Sequence, residues 1–73
     1  MFTDQEFRDI KTGQRVGAVC GPGEFPQSGF CREGKVTEKL RSGWGNFCLI
    51  VFDGGGSDRM YGITKKGIGF YLL

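Results

Sequence analysis

The chain has 73 residues, with ten Lys and Arg against eight Asp and Glu, no histidine and a formal net charge of +2. This length supports one small domain near the lower limit for folding alone, and so weak a charge excess does not mark a nucleic-acid binder by composition. The lack of histidine rules out Cys–His and Ser–His nucleophile pairs. It also leaves zinc only Cys20, Cys31 and Cys48, which have neither C-x-x-C spacing nor a fourth thiolate.

Hydrophobic residues at 38% and aromatics at 14% exclude general disorder, and 14 glycines against two prolines point to short strands joined by tight turns. An odd cysteine count predicts reduced, buried thiols of a cytoplasmic protein, with one Cys–Cys pair left open. No signal-peptide pattern and no apolar run of membrane-spanning length is present, so a soluble chain with no membrane partner is expected.

In chain order, residues 1–13 read as a capped helical segment and 14–73 as a small β-barrel. Thr3 and Glu6 have capping-box spacing, Phe2 and Phe7 sit where a hydrophobic staple places them, and Gly13 is a candidate terminator. Gln14–Cys20 predicts a strand with Val16 and Ala18 on one side, and the Gly21–Gly29 stretch a long loop. Phe30 and Cys31 suggest a short strand. Gly34–Arg41 predicts another, with Lys35, Thr37, Lys39 and Arg41 on one face and Val36, Glu38 and Leu40 on the other; the charged Glu38 in the apolar set signals a bulge or an edge. Trp44 lies in a glycine turn. Phe47–Phe52, six consecutive apolar residues, predicts a strand buried on both faces, and a glycine turn then leads into Arg59–Thr64. Ile68–Leu73 is the last strand. The fold class is mainly β: a small antiparallel barrel of about five strands with a short N-terminal helix.

No catalytic, cofactor-binding or metal-binding set emerges, and the chain reads as non-enzymatic. Gly29–Lys35 matches G-x-x-x-x-G-K, but Val36 stands where a magnesium-binding hydroxyl is required. Asp53 and Asp58 flank a glycine turn, where aspartates bond local backbone. Binding has better support. Trp44 on a turn is a candidate interface anchor or, equally, a cap on the end of the barrel; Lys35, Lys39 and Arg41 are candidate basic contacts together with Lys65 and Lys66, and Phe7 and Arg8 present the N-terminal segment.

From Gly13-Gln14-Arg15-Val16-Gly17, through Gly34-Lys35-Val36-Thr37, to Val51-Phe52-Asp53-Gly54, the chain resembles SH3-like small barrels of the KOW or Tudor kind. That resemblance implies a binding domain for nucleic acid, peptides or transcription complexes. In size, cysteine usage and an acidic N-terminal segment on a basic body, the chain also resembles small bacteriophage-encoded proteins that bind host RNA polymerase and inhibit initiation or alter termination. This implies a monomeric regulator working by protein contact in the bacterial cytoplasm. The alternatives are a barrel that binds nucleic acid directly through Lys35, Lys39, Arg41 and Trp44, and an assembly protein that pairs through the Ile68–Leu73 edge.

Overall fold

The computed structural model describes residues 1–19 and 30–73; the expected Gly21–Gly29 loop and Cys20 lie outside the described residues. Among the described residues one helix, α1 (Asp4–Asp9), precedes five strands: β1 (Arg15–Val19), β2 (Arg32–Leu40), β3 (Phe47–Phe52), β4 (Ser57–Met60) and β5 (Gly69–Leu72). All pairings are antiparallel, and the order β4-β3-β2-β1-β5 returns the last strand to the first. The result is a curled sheet, a half-barrel compatible with an SH3-like fold.

Both reciprocal bonds of the capping box form at the start of α1. The Thr3 Oγ1 accepts from the Glu6 N–H at 3.1 Å, and the Thr3 N–H donates to the Glu6 carboxylate at 2.9 Å. The staple closes with Phe2 and Phe7 ring centroids 5.6 Å apart. A helix of six residues is too short to persist on propensity alone; burial of Phe7 and Ile10 in the sheet's core holds it. Termination comes earlier than Gly13, because Ile10 turns extended to enter the core, and Gly13, at φ +93°, serves the turn that leads into β1.

Val16, Ala18, Val36, Cys48, Ile50, Phe52 and Met60 line the concave side and form the core with Phe7 and Ile10. Cys48 is free, and burial pushes its thiol pKa up. Cys31 is exposed and disulfide-bonded, which realises the Cys–Cys pair left open by the sequence and corrects the expectation of a reduced, buried thiol for that residue. It belongs to no strand; β2 begins at Arg32.

Two expectations about faces change. The β2–β3 register slips between Val36 and Glu38, as the charged Glu38 had signalled. Past this bulge, Lys39 pairs with buried Cys48 and so shares the concave side with Val36, whereas Lys35 pairs with Val51 on the convex side. The single basic face expected for β2 is therefore split. The second change concerns β3, whose burial alternates. Cys48, Ile50 and Phe52 are buried, while Phe47 and Leu49 are half-buried and Val51 is exposed. The single curled sheet supplies a core to only one side of this strand.

Candidate binding surface

The end of β2 that carries Lys39 and continues into Arg41 meets α1 at the barrel rim. The Lys39 Nζ lies 4.9 Å and the Arg41 guanidinium carbon 5.4 Å from the Phe7 ring centroid, so two cations share one aromatic ring. The Lys39 Nζ also donates to the Arg8 backbone carbonyl at 3.3 Å, which ties β2 to the last turn of α1. Phe7 itself is buried, and a partner at this corner would meet the cations around it rather than the ring.

Immediately beyond Arg41 the β2–β3 turn is tied by Ser42. Its hydroxyl donates to the Gly45 carbonyl at 2.6 Å, its Oγ accepts from the Trp44 N–H at 3.3 Å, and its carbonyl accepts from the Gly45 N–H at 3.2 Å. Gly45 takes φ +131°, a value that only glycine adopts without strain. This turn holds Trp44 in solvent with 92% of its surface exposed.

Lys65 is placed near the same helix by an ion pair with Glu6 at 3.3 Å. The Thr3 N–H first, and Lys65 second, hold the Glu6 carboxyl below its usual range. Lys66 is exposed. Lys35 stands apart on the convex side, beside the fork in which the Arg15 guanidinium donates two bonds, of 2.8 and 2.7 Å, to Asp53. Arg15 holds Asp53 below its usual range, and Glu33 lies 3.7 Å from the same guanidinium. Thus Lys39 and Arg41 converge on Phe7, Arg8 joins them through its backbone carbonyl alone, Trp44 follows in the adjoining turn, and Lys35 is elsewhere.

Several features escaped sequence reasoning. Arg32 stacks over Phe52 at 3.8 Å from the centroid, donates to the Gly55 carbonyl and lines a cleft of about 270 Å³ with Asp58, Ile68 and Phe70. Arg59 lies over Phe47 at 5.4 Å. These contacts join residues far apart in the chain, and only the strand register reveals them. The G-x-x-x-x-G-K match fails structurally as well, since Arg32–Lys35 are extended within an antiparallel strand and no helix follows. Asp58 accepts from the neighbouring Arg59 N–H at 2.8 Å, whereas Asp53 is committed to Arg15, so the two carboxylates do not form a pair.

The chain matches no family model, no curated protein and no solved structure at a significant level. The site must therefore be read from its own geometry.

Proposed function

We propose that this chain is a non-enzymatic binding module that regulates a larger assembly by occupying part of its surface. The observation that carries this reading is Trp44, 92% exposed on a turn ordered by three Ser42 hydrogen bonds. An indole costs free energy to leave in water, loses little conformational entropy when docked, and is among the most frequent interface anchors. Lys39 and Arg41, gathered on Phe7 just before this turn in the chain, favour an acidic partner surface. Host RNA polymerase is the partner suggested by the resemblance to small phage-encoded regulators, with inhibited initiation or altered termination as the consequence. The KOW- or Tudor-type barrel that the sequence resembles is consistent with such a role.

One observation favours a second reading, direct nucleic-acid binding: Lys39 and Arg41 gather on Phe7. Phosphates would take the cations and a base would stack on Trp44. A pull-down from bacterial lysate with the tagged protein, nuclease-treated and washed at high salt, separates the two. Stoichiometric polymerase subunits that survive nuclease and salt are the expected result. Recovery of nuclease-sensitive material alone would replace the polymerase reading with the nucleic-acid one, because phosphate contacts release counterions and weaken steeply with salt.

A further inference from the structure

The outer side of β3 is apolar throughout, and it is covered only in part: Phe47 and Leu49 are half-buried and Val51 is exposed. Phe47, Leu49 and Val51 form a column along the middle strand of the β2–β3–β4 meander. The register arranges their neighbours in three rows. Leu40 and Tyr61 flank Phe47, the latter with ring centroids 5.2 Å apart; Glu38 and Arg59 flank Leu49; Lys35 and Ser57 flank Val51. Leu40, Val51 and Tyr61 are each 37–39% exposed. The charges flanking Leu49 are of opposite sign, Glu38 on the β2 wall and Arg59 on the β4 wall, the Arg59 guanidinium leaning to 5.4 Å from the Phe47 ring centroid.

We propose that this convex face pairs with the same face of a second copy of the chain, about a twofold axis running along β3. Such an axis sets the β2 wall of one copy against the β4 wall of the other. Glu38 then meets the partner's Arg59, and Arg59 the partner's Glu38. Leu40 meets Tyr61, Lys35 meets Ser57, and the three apolar residues of β3 meet their own counterparts. A twofold axis across the strands would instead oppose acid to acid and base to base, so charge selects the first arrangement. The column gains the second covered face that its composition calls for.

Three rows about 7 Å apart on strands about 4.8 Å apart span only on the order of 300 Å² per copy, well below the roughly 800 Å² per partner of a standard stable interface. The dimer is therefore weak and reversible, and a monomer dominates in dilute solution. The pairing goes beyond the function proposed above and does not depend on it: contact through the Trp44 turn is compatible with a strictly monomeric protein.

Sedimentation velocity of the full chain from roughly 10 μM to roughly 1 mM tests the inference, this being the range in which so small an interface becomes populated. Wild-type protein is expected to shift from monomer toward dimer. Glu38→Arg alone and Arg59→Glu alone should remain monomeric at the highest concentration, and an equimolar mixture of the two should dimerise, since each supplies the sign the other has lost. Circular dichroism establishes that each variant is folded; if either is not, the wild-type series decides alone. A wild-type protein that stays monomeric throughout overturns the proposal, as does undiminished dimerisation of both folded single variants or a mixture no more associated than its components.

Discussion

Gly34 faces Phe52 across the β2–β3 ladder with no room for a side chain: a Cβ there would lie 2.4 Å from the Val51 carbonyl oxygen and 2.9 Å from the Phe52 Cα. Both obstacles are backbone, which cannot swing aside as a side-chain tip can. Gly34→Ala should therefore destabilise the fold by about 1–3 kcal/mol, the usual range for overpacking, as measured by urea unfolding. A change below about 0.5 kcal/mol, typical of neutral surface positions, would show that the strands can separate at no cost. Local residue signals were the most legible in the sequence. Thr3 and Glu6 make both bonds that their spacing predicts, and Glu38 marks the bulge. Arg15 and Asp53, 38 positions apart, gave no such signal, because their meeting depends on how the sheet curls.

At the scale of elements, two carboxylates tie strands and helix together. Asp53 at the end of β3 is bound by Arg15 at the start of β1, and Glu6 of α1 caps its own helix and reaches Lys65 before β5. Both carboxyl pKa values are depressed in the folded chain, Asp53 by the Arg15 hydrogen bonds and Glu6 chiefly by the Thr3 N–H. A depressed folded pKa contributes stability that is complete above the unfolded value and is lost as pH falls through the folded one. The thermal midpoint should accordingly be flat near neutrality and fall below about pH 4.5, where unfolded carboxyls begin to protonate. Arg15→Gln should shallow this acid limb by freeing Asp53; an unchanged slope would mean that the fork makes no net contribution. The C-terminal edge is less open than its apolar sequence implied. The Phe70 N–H donates to the Thr64 hydroxyl at 2.9 Å and its carbonyl accepts from the Thr64 N–H at 2.8 Å, occupying groups that an added strand would need.

For the molecule as a whole, the mainly β architecture, the short capped helix and four of the five strands followed from apolar patterning and glycine turns. The first strand's faces were also legible: Val16 and Ala18 enter the core. The separation of the basic residues was not, because one bulge reverses the face of everything beyond it and sequence alternation does not reveal where the phase shifts. Nor was the one-sided burial of β3, since a run of apolar residues specifies two faces to be covered without saying that the chain itself covers both. The candidate binding surface reflects the same division. That a tryptophan between glycines resists complete burial was readable, but not whether it caps the barrel or faces water; the gathering of Lys39 and Arg41 on a buried Phe7 required the fold.

Trp44 is the only tryptophan in the chain, so its emission reports directly on the turn that carries the proposed function. Titration of the protein with purified RNA polymerase reconstituted from tryptophan-free subunits, or with the chain's indole selectively labelled, isolates that signal. A saturable blue shift at a fixed stoichiometry, as the indole leaves water, is the predicted result. Trp44 emission that stays at its fully solvated position throughout the titration would contradict a regulator that docks through this turn.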